Sequence, residues 1–419
     1  MLPVKQAEAL ILDLVSPLSA HNSNQNTEVL DLLSASGRIL AAPVTSALDF
    51  PHWDNSAMDG YAVRFADVQS CSAEQPVTLE IVEEIPAGYQ PQKHVQSGQA
   101  ARILTGAMMP AGADTVVMQE RTQHQGDRVT ILEAPEFQAF VRQRAAFYQA
   151  GTPLLQPGSS LNAPEIAVLA AAQCAQVTVY RQLRVAILST GSELVAPDQP
   201  LQPGQIVDSN QYALAALVKQ MGAEPVLLGV VPDEPEALKQ AIAQAVATAD
   251  VVLSSGGVSV GDYDYVDEIL AALGAEIHIR AVAVKPGKPL TVATFATPEP
   301  TQAHPVLYFG LPGNPVSALV TFWRFVQPAL RKLSGLAQGW EPTFIKARTQ
   351  QNLRSDGKRE SYLWGHLQLV NGDYEFRLAG GSHSSGNLIN LAQTNGLAVL
   401  PIGQTAIATG AEVLVMQVN

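Results

Sequence analysis

The stretch SSGGVSVGDYDY, residues 254–265, combines residues that favour anion binding with residues that oppose it. Glycine and serine let a backbone wrap around an anion, but Asp262 and Asp264 follow within a few residues. A carboxylate about 4 Å from a phosphate oxygen is repelled by about 4 kcal/mol at an effective dielectric constant of 20, whereas a helix N-terminus returns only about 0.3 to 2 kcal/mol. Mg²⁺ shared by Asp233, Asp264 and phosphate oxygens would reverse that balance. The sequence therefore predicts a metal-dependent phosphate site, while Asp262 is equally consistent with an N-cap or a turn.

Short polar loops follow several other apolar segments of the chain. These loops are STGSEL with Glu193, PDEPE with Asp233, KPGKP with Lys285 and Lys288, and GLPGNP with Asn314. In open α/β sheets ligands bind at the carboxyl ends of the strands, so we expect these loops to lie along one edge. Lys285 and Lys288 flank a rigid Pro-Gly turn, which favours an anion but is equally consistent with a solvated basic turn.

The loop GLPGNP is predicted to begin a helix at which phosphate binds. Asn314 is a good N-cap and Pro315 suits the first helical position, which leaves free backbone N–H groups beyond the sheet edge. A single loop of this kind more often marks only the start of a helix. The presence of several such loops at one edge favours the phosphate interpretation.

Two stretches in the N-terminal half are predicted to be binding loops rather than core. They are DNSAMDGYAVR, residues 54–64, and RILTGAMMPAGAD, residues 102–114. Each is weak evidence alone, because Asn, Asp, Ser and Gly favour turns for local reasons.

The residue patterns around these motifs divide the chain into regions of different predicted secondary structure. Apolar residues between Val4 and Val15 have helical spacing, and Val29, Leu32 and Leu33 predict a second short helix that ends at Gly37. Short strands are predicted from about 46 to 140, and a helical pattern returns at APEIAVLAAAQC. The β-rich module is therefore predicted to be inserted between two parts of a helical domain.

Apolar strands alternate with helices from 184 to 330, which predicts a doubly wound, largely parallel sheet. Beyond Ser334 and Gly335 the pattern predicts a compact β domain with a hairpin at Asn371-Gly372. The predicted domains are a helical domain at 1–45 and 141–180, an inserted β domain at 46–140, an α/β domain at 181–333 and a C-terminal β domain at 336–419.

Composition narrows the classes of function. The chain has 419 residues, with 25 basic and 38 acidic side chains and a net charge of −13, which argues against coating nucleic acid or an anionic membrane. Cys71 and Cys174 match no metal-ligand spacing and indicate a reduced, cytoplasmic compartment. No apolar run reaches the roughly 18 residues that span a bilayer. A dinucleotide-binding oxidoreductase is disfavoured because no G-x-G-x-x-G follows a strand.

The motifs together resemble those of the molybdopterin molybdenumtransferase (MoeA) family. They are DNSAMDGYAVR, RILTGAMMPAGADTVVMQE, STGSEL, GQIVDSN, SSGGVSVGDYDY, KPGKP and GLPGNPVSALVTF, in matching order across nearly the whole chain. The resemblance implies a homodimer of four-domain subunits: a helical domain, an inserted β domain, a doubly wound α/β molybdopterin-binding domain and a C-terminal β-barrel-like domain. It implies that molybdate is inserted into adenylylated molybdopterin and that Mg²⁺-dependent cleavage releases AMP. It also implies possible partners, among them the molybdopterin adenylyltransferase and other proteins of cofactor biosynthesis.

The resemblance assigns roles to residues of this chain. The implied catalytic residues are Asp59 and Thr105 in the inserted domain and Glu193, Asp233, Asp264, Lys285 and Lys288 in the α/β domain, with Asp233 and Asp264 as metal ligands. The implied substrate-binding residues are Ser56, Gly106, Ser255, Gly256, Gly257, Ser259, Gly261, Pro312, Gly313, Asn314, Arg359 and Ser382. In the family the site is shared between the α/β domain of one subunit and the inserted domain of the other.

One segment departs from the family pattern. Where the family commonly has Gly-Glu-Asp, this chain has Ala145, Ala146 and Phe147. A carboxylate is therefore missing, which leaves open an alternative function as a catalytically weak molybdopterin-binding or scaffolding homologue.

Overall fold

The computed structural model describes residues 1–20, 24–257, 266–296 and 304–418. The chain forms two compact units, one of Met1–Ala42, Pro157–Ile166 and Gln176–Asn419, and the other of Pro43–Gln156 and Ala167–Ala175. Ser259, Gly261 and Asp264, like Asp262, lie outside the described residues.

The first unit begins with the helix that the sequence predicted. Helix α1 (Val4–Leu14) buries Val4, Ala7 and Ile11, whose spacing of three and four residues places them on one face. These side chains join the large core of the unit.

The prediction of a second N-terminal helix at Val29, Leu32 and Leu33 is wrong. Residues Thr27–Asp31 form strand β1, which pairs antiparallel with Gln176–Tyr180. The Asp31 carboxylate accepts the backbone amides of Leu33 and Ser34, both at 3.0 Å, and so closes a turn directly after the strand. The helical spacing of Val29 with Leu32 and Leu33 arose because a strand and a turn happen to place apolar residues three and four positions apart.

The second unit is built around one mixed sheet. Its elements are β2 (Val44–Thr45), β3 (Asn55–Ser56), β4 (Gly60–Val63), α2 (Phe65–Val68), β5 (Val77–Ile85), β6 (Gln99–Ile103), β7 (Thr115–Met118), β8 (Thr122–Gln125), β9 (Arg128–Ile131), β10 (Val141–Arg142) and β11 (Pro153–Leu155). Six of these strands form a sheet in the order β7-β4-β6-β5-β9-β8. Helix α3 (Ala163–Ala171) follows, as the sequence predicted.

The motif DNSAMDGYAVR is only partly a loop, which corrects the prediction. Strand β4 is central in its sheet, and Tyr61 and Val63 belong to the hydrophobic core. Gly60 is required at the start of the strand because a Cβ there would lie 2.0 Å from the carbonyl oxygen of Val117. The exposed loop therefore ends at Asp59.

The α/β domain of the first unit has the predicted alternation. Its elements, after β12 (Gln176–Tyr180), are β13 (Arg184–Thr190), β14 (Leu194–Val195), β15 (Ile206–Val207), α4 (Asn210–Gln220), β16 (Glu224–Val231), α5 (Pro235–Thr248), β17 (Val251–Ser255), α6 (Val266–Ala272), β18 (Ala275–Ala281), β19 (Val284–Lys285), β20 (Pro289–Phe295), β21 (Val306–Leu311), α7 (Pro315–Thr321), a π-helical turn (Phe322–Val326) and α8 (Gln327–Leu333).

Six of these strands form one sheet in the order β16-β13-β17-β21-β20-β18. The first four run parallel, and β20 runs antiparallel to both of its neighbours. Helices α4, α7 and α8 cover one face, and α5 and α6 cover the other. The prediction of a doubly wound, largely parallel sheet is confirmed.

The C-terminal region is a small barrel. Its strands are β22 (Phe344–Thr349), β23 (Leu353–Arg354), β24 (Glu360–Val370), β25 (Asp373–Leu378), β26 (Gly396–Leu400), β27 (Ala406–Ile407) and β28 (Glu412–Gln417). The order β24-β25-β22-β28-β26 closes because β26 also pairs with β24. The hairpin turns at Asn371 (φ 50°) and Gly372 (φ 93°), as the sequence predicted. Among the described residues, no helix has the length and apolar character needed to cross a membrane.

Candidate functional site

The predicted loops of the α/β domain leave the sheet from one edge. Strands β13, β16, β17 and β21 are parallel, so the loops that follow them start at the same edge. Strand β18 also ends there, because it and β21 are both antiparallel to β20. With strands about 4.8 Å apart, the ends of the six-stranded edge are about 24 Å apart. Asp233 follows β16 at one end and Lys285 follows β18 at the other, so these residues form a row rather than one compact cluster.

The crevice between β13 and β17 lies where the strand order of the sheet reverses, since β16 lies on one side of β13 and β17 lies on the other. Gly256 (φ 93°) and Gly257 (φ 65°) pass very close to the end of β13. A Cβ on Gly256 would lie 2.4 Å from the carbonyl oxygen of Thr190, and one on Gly257 would lie 2.9 Å from Thr190 Oγ1. The side-chain hydroxyls of Ser189 and Thr190 are buried here and have no hydrogen-bond partner among the described residues.

A residue that was not among the predicted site residues joins two of the loops. Asn210 Nδ2 donates to Ser255 Oγ at 2.6 Å and to the carbonyl oxygen of Gly313 at 2.8 Å. Ser255 Oγ also lies 3.5 Å from the carbonyl oxygen of Pro312. Asn210 ends the motif GQIVDSN, so the sequence contained a signal for it, but its bridging role depends on long-range pairing.

The start of α7 differs from the predicted phosphate-binding helix start. Asn314 occupies the N-cap position and Pro315 is the first helical residue, but the Asn314 side chain makes no capping hydrogen bond. The amide of Val316 donates to the carbonyl oxygen of Ser385 at 3.1 Å. Because Pro315 has no N–H and Val316 already has an acceptor, this helix start offers fewer free amides than the sequence predicted.

The acidic side chains Glu193 and Asp233 are exposed on the loops after β13 and β16. These loops lie close together, since the Asp233 amide is 3.5 Å from Ser192 Oγ. The described residues include no group of three His, Cys, Asp or Glu side chains placed to hold a metal ion. Mg²⁺ often uses only one or two carboxylates together with substrate phosphates, so Asp233 with one neighbouring carboxylate fits that donor set.

The two lysines of the KPGKP turn were predicted to bind an anion or to be solvated, but Lys285 has a carboxylate of the protein as its partner. Its Nζ lies 2.9 Å from Asp356 Oδ2, in the C-terminal domain. The hydrogen bond from Lys285, followed by one from the Lys358 amide, holds the pKa of Asp356 below its ordinary value. Lys288 is half-buried, and its carbonyl oxygen accepts the amide of Val282 at 3.0 Å.

Arg359 and Ser382 occupy different places in the C-terminal domain. Arg359 Nη1 donates to the carbonyl oxygen of Val284 at 3.3 Å, so its guanidinium lies beside the strand that carries Lys285. The Ser382 carbonyl oxygen accepts the side-chain amides of Asn387 and Asn390, at 2.8 and 2.9 Å. Ser382 thus belongs to the loop that reaches the start of α7, and its own hydroxyl is exposed.

In the second unit, Asp59 and Thr105, both of which the resemblance assigns to the site, are joined by hydrogen bonds. Asp59 Oδ1 accepts the amide of Thr105 at 2.7 Å and its hydroxyl at 2.8 Å. These two hydrogen bonds, the amide first, hold the pKa of Asp59 below its ordinary value. The Gly106 amide donates to the carbonyl oxygen of Ser56 at 2.8 Å, so the two motifs meet. Only part of RILTGAMMPAGAD is an exposed loop, which corrects the prediction, because Ile103, Ala107 and Met109 belong to a hydrophobic core.

The segment that departs from the family pattern is exposed. The Phe147 side chain is 74% exposed, although it is large and apolar. Ala145 has a φ of 62°, which is a left-handed conformation suited to glycine. The backbone there is therefore formed as a glycine turn even though the chain carries alanine.

Comparison with known proteins accounts for the whole chain. The MoeA N-terminal region (domain I and II) matches residues 2–172, the probable molybdopterin binding domain matches 186–332, and the MoeA C-terminal region (domain IV) matches 346–418. The molybdopterin molybdenumtransferase of Nostoc sp. is 66% identical over 414 residues, covering 99% of this chain and 93% of that protein. The enzyme of the same name from Haemophilus influenzae is 38% identical, covering 85% of this chain and 86% of that one.

A solved structure agrees with these matches. The molybdopterin biosynthesis MoeA protein of Pyrococcus horikoshii superimposes with a TM-score of 0.84 at 28% identity, covering all of both chains. The fold and its edge of polar loops define a multidomain α/β enzyme of molybdenum cofactor biosynthesis. The chain belongs to the molybdopterin molybdenumtransferase family.

Proposed function

We propose that this chain inserts molybdate into adenylylated molybdopterin and releases AMP in a Mg²⁺-dependent reaction. The observation that carries the proposal is the single edge at which the loops after β13, β16, β17, β18 and β21 all leave the sheet. A pterin nucleotide is an extended ligand with a pyrophosphate, and a row of polar loops about 24 Å long matches that kind of substrate better than a compact pocket would.

The residues divide into three tasks in this proposal. The backbone amide of Gly257 and the hydroxyls of Ser189 and Thr190, which have no hydrogen-bond partner among the described residues, bind the substrate at the crevice between β13 and β17. The Gly256 amide is not available for this task, because it donates to the carbonyl oxygen of Leu311 at 3.2 Å. Lys285, Lys288 and Arg359 attract oxyanions at the other end of the edge. Because the whole chain carries a net charge of −13, anionic substrates must be captured by such local groups.

The third task, metal binding and the supply of negative charge, belongs to the carboxylates. Asp233 and Asp264 would hold Mg²⁺, which when bound stabilises negative charge on the pyrophosphate. Asp59, kept ionised by Thr105, supplies a further carboxylate from the inserted domain. We propose that two copies pair, so that the inserted domain of one subunit serves the α/β domain of the other, as the family resemblance implies.

The direct test is an AMP-release assay with the purified chain and adenylylated molybdopterin, with and without molybdate and Mg²⁺. We expect AMP release to require both additions. We also expect Asp59→Asn to lower the rate at least about 100-fold, in the range seen when a positioned acid or base is lost. Unchanged AMP release from Asp264→Asn or Lys285→Ala would contradict the roles assigned here.

A second candidate is a catalytically weak molybdopterin-binding or scaffolding homologue. The exposed Phe147 favours it, because the family commonly has an acid at this position. Tight binding of adenylylated molybdopterin without turnover would support this alternative, and Phe147→Asp would then raise AMP release. Molybdate-dependent AMP release by the unaltered chain would eliminate it.

A further inference from the structure

The C-terminal domain supplies a carboxylate to the cationic end of the edge. Asp356 Oδ2 lies 2.9 Å from Lys285 Nζ, and Asp356 Oδ1 accepts the backbone amide of Lys358 at 3.0 Å. Arg359 is also close enough to stabilise the Asp356 carboxylate electrostatically. Two cations, Lys285 and Arg359, therefore share one acidic side chain.

The backbone fixes this arrangement. Strand β19 pairs parallel with β24, with Val284 opposite Glu360 and Lys285 opposite Ser361. The Glu360 amide donates to the carbonyl oxygen of Ala283 at 3.0 Å. The turn that carries Asp356 is therefore attached to the strand that carries Lys285, so the carboxylate reaches the ammonium group from a defined position.

We propose that Asp356 is an internal counter-ion, a positioning residue that an incoming oxyanion must displace from Lys285. The proposal rests on the function proposed above, in which Lys285 binds an oxyanion of the substrate. A small oxyanion that contacts only Lys285 is repelled by Asp356 and gains little. A pyrophosphate that also reaches Lys288 and Arg359 gains more contacts, so Asp356 favours the extended anion over inorganic phosphate.

The test measures binding of inorganic phosphate and inorganic pyrophosphate to the full chain by calorimetry at low ionic strength. Asp356→Asn keeps an oxygen that can accept the Lys358 amide but removes the charge. Because the Lys285 and Asp356 side chains are 46% and 34% exposed, their ion pair is weak, and we expect phosphate to bind about two- to five-fold more tightly. The gain for pyrophosphate should be smaller, and Asp356→Glu should bind phosphate as the unaltered chain does.

Two controls isolate the mechanism. Asp373→Asn makes the same charge change at an exposed hairpin residue of the same domain and should leave phosphate affinity unchanged. In a Lys285→Met background, Asp356→Asn should give a smaller gain than in the unaltered chain, because Lys285 is the cation that Asp356 contacts. Equal or weaker phosphate binding by Asp356→Asn, or an equal gain from Asp373→Asn, would overturn the proposal.

Failure of this proposal is distinct from failure of the proposed function. Phosphate binding requires no turnover, so the expected affinity change without AMP release would keep the counter-ion role and reject the proposed reaction. AMP release without the affinity change would keep the proposed reaction and reject the counter-ion role of Asp356.

Discussion

Asp59 shows how one side chain is prepared for chemistry by its neighbours. It is exposed, and yet the amide and hydroxyl of Thr105 hold it in the ionised form. The motif around Asp59 and the motif around Thr105 lie 46 residues apart, and the hydrogen bonds join them into one feature. The proposed carboxylate therefore depends on a donor from another loop.

Replacing Thr105 tests this dependence. Thr105→Val removes the hydroxyl but keeps the amide, so we expect the pKa of Asp59 to rise part of the way toward its ordinary value. The carboxylate is ionised above its pKa, so the acidic limb of the pH profile of kcat/KM should move to higher pH. Thr105→Ser, which keeps the hydroxyl, is the matched control. An acidic limb that does not move in Thr105→Val would show that Asp59 does not govern it.

Lys285 shows what a sequence cannot reveal about a charged residue. Its turn, KPGKP, was correctly expected at a strand end, but its partner Asp356 is 71 positions away. A salt bridge of this separation depends on the pairing of β19 with β24 rather than on local sequence. The same limit explains why Asn210 was not singled out.

At the scale of elements, the strand ends and their glycines determine the site. Gly256 follows β17 and passes so close to β13 that no side chain fits between them. This close approach brings the glycine loop against Thr190, and the Gly256 amide donates to the carbonyl oxygen of Leu311 at 3.2 Å. Glycine is needed there for two reasons, its φ of 93° and the missing space.

These two reasons can be separated by paired substitutions. Gly229 also has a positive φ, 82°, but nothing lies within 4 Å of a Cβ placed on it. Both Gly256→Ala and Gly229→Ala incur about 1 to 2 kcal/mol of backbone strain. We expect Gly256→Ala to lower the free energy of unfolding by about a further 1 to 3 kcal/mol, because its methyl group meets the Thr190 carbonyl. Urea denaturation measures both variants, and equal losses would argue against steric exclusion at Gly256.

At the scale of the whole molecule, the chain combines an α/β domain with a closed barrel and a separate inserted unit. Each part carries some of the proposed site residues, and the family resemblance implies that two subunits share each site. The net charge of −13 makes local capture of anions necessary, which the row of loops and lysines would provide.

Subunit sharing predicts complementation between two inactive variants. Asp59→Asn alters the inserted domain, and Asp233→Asn alters the α/β domain. If each site takes these residues from different subunits, random mixing at equal amounts makes half of the dimers mixed, and each mixed dimer has one intact site. We expect the mixture, after denaturation and joint refolding, to recover about a quarter of the AMP-release rate of the unaltered chain. If the refolded mixture recovered no AMP release while the unaltered chain refolded to activity, each site would lie within one subunit.

The amino-acid sequence by itself determined the fold class, the alternating strands and helices of the α/β domain, the hairpin at Asn371-Gly372 and the motifs that identify the family. These features depend on local periodicity, turn chemistry and residue order, which are all written along the chain. The prediction from the sequence placed Val29 in a helix. It was wrong because the pairing of the strand Thr27–Asp31 with Gln176–Tyr180 is not a local property of the sequence.

Only the tertiary structure decided which polar groups are available. It gave Lys285 a carboxylate partner, gave the Val316 amide an acceptor at Ser385, joined Thr105 to Asp59 and left the Ser189 and Thr190 hydroxyls without partners among the described residues. The physical reason is that a hydrogen bond or an ion pair depends on distances of about 3 Å, and pairing between distant strands and loops sets those distances.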